Sequence, residues 1–263
     1  VGTGTISAVV PGTYAPAILV TGDDVVIEGI TVDGNKSAFA GVTEWKHGLS
    51  LRACTNVVVR DVTSTNNKGD GVLVAGDDTS GSYAEQIVLE NVTAVTNHRQ
   101  GLSITSAVGV VVLGGSYSDT SGTAPAAGID VEPNSTSDLI RDIELVGVSC
   151  IGNDGHGLQV LLKDDDNQHG VRVHGGRFAD NDTGVMLYGA VRDVTVEQAV
   201  IEGNSGYGVG AEDVSGHTAL IRGLKIDGNL IRQNQHRGIS IVMATAPAFE
   251  GLVISRNSVL DNT

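Results

Sequence analysis

Large aromatic side chains are nearly absent from this 263-residue chain, which has three Phe, five Tyr and one Trp. A core built on packed rings is therefore excluded, and small aliphatic layers must take its place. Basic charge is also scarce. Sixteen Lys and Arg stand against thirty-one Asp and Glu, for a formal charge of −15. Such a chain has no basic field to displace counterions from phosphates, which argues against nucleic acid and against an anionic membrane surface. No run of 18 apolar residues occurs, so no membrane span is expected. The two cysteines, Cys54 and Cys150, fall at different phases of the pattern described next, and they are expected to be buried free thiols. The chain starts at Val1, without Met or a signal peptide, as a processed or trimmed protein would.

What the chain has in quantity is glycine, 36 residues, and eight of them mark a repeat. A glycine followed by alternating apolar residues recurs at Gly48, Gly71, Gly101, Gly128, Gly157, Gly184, Gly208 and Gly238, a mean spacing of about 27 residues. A second aliphatic stretch follows in each repeat, such as Val57-Val58-Val59, Ile87-Val88-Leu89 and Val194-Thr195-Val196. A further apolar position such as Val62, Val92, Phe178 or Ile231 comes a few residues later. Three short strands per repeat, with sharp turns and no helical periodicity, predict an all-β chain forming one coil of a parallel β-helix per repeat. The expected fold is a single parallel β-helix solenoid over residues 1–263, with nine to ten coils of roughly 27 residues. Thr5 to Val10, Ala17 to Val20 and Val25 to Val32 read as extended segments before the repeat begins, with a break at Pro11-Gly12.

Asparagines set a second row. Asn67, Asn97, Asn153, Asn204 and Asn234 lie four residues before the repeat glycine, and Asn181 three before. Stacked amides at one bend are expected to hydrogen-bond from coil to coil. From Asn67 onward the row lapses only before Gly128, where Ser118 to Ala126 forms a Ser/Thr/Gly/Ala/Pro-rich loop. Asp261-Asn262-Thr263 ends the chain with no capping element, so a longer protein, further domains or a homotrimer is expected to cover the ends.

Within each repeat, the first and third residues after the glycine point inward, and the second and fourth point outward. The second positions are Ser50, Leu73, Ser103, Asp130, Gln159, Met186, Gly210 and Ser240. The fourth are Arg52, Ala75, Thr105, Glu132, Leu161, Tyr188, Glu212 and Val242. Only Gly128-Ile129-Asp130-Val131-Glu132-Pro133-Asn134 supplies two acids to one face. Two carboxyls two residues apart on a strand can serve as general acid and as base or nucleophile at a glycosidic bond. The competing reading is a solvated Asp-x-Glu on an acidic surface. His98 and Arg99 come from the coil on one side and His156 from the other. A His beside a carboxylate, with an Arg nearby, suits proton abstraction next to a uronate carboxylate. His156 is therefore a third catalytic candidate. Arg99, His98, Gln159, Tyr188, Glu212 and Lys46 are candidates for substrate binding, although each alone is also an ordinary turn or surface residue. Lys163-Asp164-Asp165-Asp166-Asn167 clusters oxygen ligands but lacks an EF-hand spacing. Calcium is thus a weak candidate, and no other metal or cofactor is expected.

Gly-Ile-Asp-Val-Glu-Pro-Asn at 128–134 and Asn-Asp-Gly-His-Gly-Leu at 153–158, with the coil pattern and the Asn row, resemble a known superfamily. This is the right-handed parallel β-helix, pectate-lyase-like superfamily of pectate lyases, polygalacturonases, alginate C5-epimerases, carrageenases and phage tailspikes. The resemblance covers nearly the whole chain at the level of fold. Alginate epimerases carry Tyr-Gly-Phe-Asp-Pro-His-Glu in the equivalent rung, where this chain has Ala127 for the Tyr and Glu132 for the His. Gly155-His156-Gly157 matches a Gly-His-Gly of polygalacturonases, whose paired Asp-Asp and Arg-Ile-Lys have no counterpart here. Iota-carrageenases use two acids spaced by one residue, in the order Glu-x-Asp, the reverse of Asp130-x-Glu132. The resemblance implies a secreted or virion-borne protein with a groove for a long polysaccharide. Three activities are compatible: acid/base glycoside hydrolysis, uronan elimination or C5-epimerisation with a His base, and glycan binding by a non-catalytic fibre.

Overall fold

A computed structural model describes residues 4–7, 16–39, 44–77, 81–163, 166–213, 220–242 and 248–263. Among them the chain winds as an all-β solenoid of three parallel sheets with ten, eleven and nine strands. Every strand pair in the sheets is parallel, because each coil returns to the same sheet one turn further on. Parallel crossovers of this kind are right-handed for the reason that strands twist right-handedly. Nine stacked strands, from Ile18–Val20 to Ile239–Val242, carry the sequence that follows the repeat glycine. They bound eight full turns of about 28 residues, so the nine to ten coils expected include incomplete ones at the ends. The extended stretch Val25 to Val32 divides at Gly29 into Val25–Glu28 and Ile30–Asp33. One 3-10 turn, Lys36–Ala38, follows. Of the segment Thr5 to Val10, Gly4–Ser7 brackets the described strand, while residues 8–15, with Pro11-Gly12, lie outside the described residues.

The inside of the solenoid is one continuous aliphatic stack. Leu49, Val72, Leu102, Ile129, Leu158 and Val185 superpose as one inward row and are fully buried. Tyr117 and Phe178 are the largest side chains inside. Cys54 and Cys150 are buried and free.

The repeat glycine is required by close approach. A Cβ on Gly128 would lie 2.5 Å from the Tyr117 carbonyl, 2.8 Å from Asn153 Nδ2 and 2.8 Å from the Gly157 carbonyl. The side chain that excludes it belongs to the Asn ladder. Asn153 Nδ2 donates to Asn181 Oδ1 at 2.8 Å, Asn181 to Asn204 at 3.1 Å, Asn204 to Asn234 at 2.7 Å and Asn234 to Asn262 at 2.8 Å. Each amide thereby satisfies backbone and side-chain groups that the buried bend would otherwise orphan. The lapse before Gly128 is filled by Thr120. Its backbone N–H donates to Asn153 Oδ1 at 3.1 Å, and its hydroxyl lies 2.8 Å from the same oxygen. At the opposite bend, Asp61, Asn91, Gly114, Gly147, Gly175, Gln198 and Gly228 hold φ between 50° and 68°. A left-handed residue at that point turns the chain from the second sheet into the third.

Candidate active site

The eleven-stranded sheet stacks Ser50, Leu73, Ser103, Asp130, Gln159 and Met186 in register on its outer face. These side chains point away from the core, as alternation requires, yet all six are buried. The row immediately before each glycine, including His47, Asp70, Gln100 and Thr183, is buried beside them. Apart from Leu73 and Met186, the face is thus a floor of polar groups with a second polar row against it.

Asp130 lies at its centre and is only 2% exposed. Gln100 Nε2 donates to its Oδ2 at 3.1 Å, and Gln159 Nε2 donates to its Oδ1 at 3.0 Å. The same Gln159 nitrogen lies 3.3 Å from Glu132 Oε2. The two distances cap the separation of the bridged carboxyl oxygens at their sum, 6.3 Å. Glu132 is the partly exposed member of the pair. Burial first, and then the neighbouring Glu132, push the Asp130 carboxyl up to about 8, against the pull of Arg99 and Gln100. Asp130 therefore keeps its proton at neutral pH.

Two coils back, Asp70 is fully buried. Its Oδ2 lies 3.2 Å from His47 Nδ1 and 3.4 Å from Arg99 NH1. Burial opposes its ionisation, but His47 and Arg99 outweigh burial and hold the carboxyl below the usual range. Arg99 is thus anchored on Asp70 and acts on Asp130 through its field.

On the other side, His156 stands between an acid and a phenol. Its Nε2 is 3.3 Å from the Tyr188 hydroxyl, and its Nδ1 is 3.4 Å from Asp182 Oδ2. The Nδ1 contact has ion-pair length without hydrogen-bond alignment. His156 is the leading cause that holds Asp182 below the usual carboxylate range. Burial, Glu212 and Asp182 push the Tyr188 phenol up to about 12.

The remaining candidates divide. Gln159 joins the two acids. Glu212 pairs in register with Tyr188. His98 is not brought to the acids, since its Nε2 lies 3.4 Å from Lys68 Nζ and Gly122 packs on its ring. Burial, with Lys68 and Lys36, lowers its pKa. Lys46 Nζ lies 4.2 Å from the Phe39 ring centroid, near the first coils rather than beside Asp130. Gln100, Asp70 and Asp182 were absent from the sequence-based candidates. Their signal was position, as polar residues in or near the row before the glycine. Asp164 and Asp165 of the acidic loop lie outside the described residues. Among the described residues no cluster of three His, Cys, Asp or Glu is placed to hold a metal, and no helix is long and apolar enough to cross a membrane.

Coil geometry, glycine row and Asn ladder together define a parallel β-helix protein. Residues 126–263 match the family described as "Right handed beta helix region". The chain belongs to that family. It is 30% identical over 196 residues to the uncharacterized protein YclG of Bacillus subtilis (strain 168), a match covering 69% of this chain and 32% of that one. The chain thus spans about a third of that relative's length. Its fold is similar to the A-module of the mannuronan C-5 epimerase AlgE6 of Azotobacter vinelandii, with a TM-score of 0.56 and 16% identity over 92% of this chain and 74% of that one. A tailspike, gp49 of the Acinetobacter baumannii bacteriophage Fri1, described as a capsular polysaccharide depolymerase, aligns with a TM-score of 0.44 and 12% identity. That alignment covers 89% of this chain and 47% of the tailspike.

Proposed function

We propose that this protein is an extracellular or virion-borne enzyme that cleaves a long polysaccharide lying along the stacked outer face, by acid/base glycoside hydrolysis. The observation that carries this reading is the Asp130–Glu132 pair joined through Gln159. A carboxyl that retains its proton at neutral pH has the state a general acid needs, and the partly exposed Glu132 is the member open to a glycan. In this reading Asp130 gives its proton to the leaving oxygen while Glu132 attacks the anomeric carbon from the opposite face, and the deprotonated Asp130 then takes a proton from the water that releases the sugar. The bridged oxygens lie no more than 6.3 Å apart, which accommodates the about 5–5.5 Å carboxyl separation of retaining enzymes. Arg99, His156, Tyr188 and Glu212 would line the glycan's path. The parallel β-helix neighbour named for mannuronan epimerisation is consistent with a glycan on this fold, although fold alone does not assign chemistry.

A second reading has its own observation. Asp182, His156 and Tyr188 form a line of proton-transfer groups. In a uronan lyase or epimerase, His156 would take the proton next to the carboxylate, and Tyr188 would relay it. Incubating the protein with neutral, uronate and sulfated polysaccharides separates the readings. New reducing ends without ultraviolet absorbance from an unsaturated uronide support hydrolysis. Reducing ends with that absorbance support elimination. Binding without any product supports a non-catalytic fibre and overturns both enzymatic readings.

A further inference from the structure

A second feature of the same face lies toward the first coils. Trp45, the chain's single tryptophan, is 50% exposed. It forms the common wall of two hollows. The first, about 460 Å³, is lined by Pro16, Leu19, Trp45, His47, Ser50 and Arg52. The second, about 420 Å³, runs from Trp45 past Gly76 and Ser82 to Asn134, Ser135 and Asp138. Asn134 and Ser135 follow Glu132 by two and three residues, so the second hollow leads from the indole toward the acid pair. An exposed indole in an open trough is a surface on which the apolar face of a sugar ring stacks.

Two polar groups in the first hollow lack what they would need in a closed protein. Arg52 donates from Nε to Ser50 Oγ at 3.2 Å and has no ion-pair partner among the described residues, in a chain with a fifteen-charge acidic excess. His47, 3% exposed, has its Nδ1 edge against Asp70, and its buried Nε2 has no hydrogen-bond partner. An unpaired guanidinium recognises a carboxylate or sulfate, and an orphaned imidazole nitrogen is satisfied by a hydroxyl. Ser50 is three rungs from Asp130 in the stacked row, through Leu73 and Ser103, which is roughly 14 Å.

We propose that the Trp45–Arg52 hollow is a distal subsite for an anionic pyranose residue, holding the glycan several sugars away from the bond at Glu132. The inference rests on the polysaccharide reading above and adds the charge class and the direction of the chain. Leu19 and Trp45 take the ring face, Arg52 its carboxylate or sulfate, and His47 a hydroxyl.

The chain's single Trp makes the site directly observable. Size-graded oligogalacturonates, oligomannuronates and carrageenan oligomers, with neutral cello-oligosaccharides as contrast, are titrated against wild-type protein while Trp45 emission is followed. At least one acidic series is expected to shift or quench the emission saturably, and the neutral one is not. By calorimetry, Trp45→Ala weakens that ligand about tenfold, the scale of one aromatic contact. Arg52→Gln weakens it by a similar or larger factor, on the scale of one charge-assisted bond. Glu132→Gln keeps the emission change. If no acidic oligomer moves the emission, or if Arg52→Gln binds like wild type, the subsite is overturned. Where those same oligomers are nonetheless cleaved, the functional reading survives its loss. Where no oligomer, acidic or neutral, is bound or cleaved, the functional reading falls as well.

Discussion

Asp130→Asn tests the electrostatics at the centre of the site without requiring a substrate. In the native protein the Asp130 carboxyl is raised to about 8, from 3.8 for an ordinary aspartate. Between those two values the native state binds more protons than the unfolded chain, so stability falls as pH rises from about 4 to about 8. At about 1.4 kcal/mol per pH unit the whole interval amounts to at most about 6 kcal/mol. Relaxation of the shell and entry of water offset part of that cost, which leaves about 3 kcal/mol. For a domain of this size, about 3 kcal/mol corresponds to roughly 6–12 °C in Tm. The asparagine removes the titration and is tolerated by the shell. Gln100 Oε1 is buried without a partner, so a flipped Gln100 amide can accept from the new Nδ2. Circular-dichroism melts of both proteins from pH 4 to pH 9 measure the difference. Wild type should lose Tm steeply toward pH 8, while Asp130→Asn loses less and becomes the more stable of the two above that pH. Parallel Tm curves would refute the claim that a buried, protonated Asp130 titrates in this range.

Other expectations follow from the fold and the pair. Gly157→Ala places a Cβ 2.6 Å from the Gly184 carbonyl and 2.8 Å from Asn181 Nδ2. It should cost about 3 kcal/mol in a denaturant melt, whereas an exposed Gly22→Ala, with nothing within 4 Å, should cost little. Asn153→Ala removes an amide that donates to Asn181 Oδ1 and the Tyr117 carbonyl and accepts from Thr120. A loss of about 2–4 kcal/mol is expected, and a neutral effect would mean the ladder does not stabilise the bend. If the pair hydrolyses a glycan with Glu132 as nucleophile, proton NMR of the first product should show retained anomeric configuration, and inversion would exclude that role.

Much of the fold was legible because its steric demands fall on single residues. Each repeat glycine stands where a Cβ meets the neighbouring coil and the ladder amide, so the period was written in glycines. The ladder could be read for the same reason, except at Thr120. A threonine can hydrogen-bond in place of an asparagine, but nothing in composition marks it as doing so. The site was legible in direction and not in depth. Alternation gives the outward sense of Asp130, yet its burial depends on Gln100 and Gln159 reaching it from two other coils. Contacts across about 30 residues of sequence leave no local signature. His98 and Arg99 are adjacent in the chain, but Arg99 is held on Asp70 while His98 meets Lys68.

The most direct test of the proposed acid pair is product formation from a panel of glycans, with wild type compared with Glu132→Gln and Asp130→Asn under single-turnover conditions. The account predicts that Glu132→Gln loses on the order of a thousandfold in rate, and Asp130→Asn at least a hundredfold, with both still binding the glycan. Rates within a few-fold of wild type for both variants would contradict it and leave the pair as a structural feature of the coil.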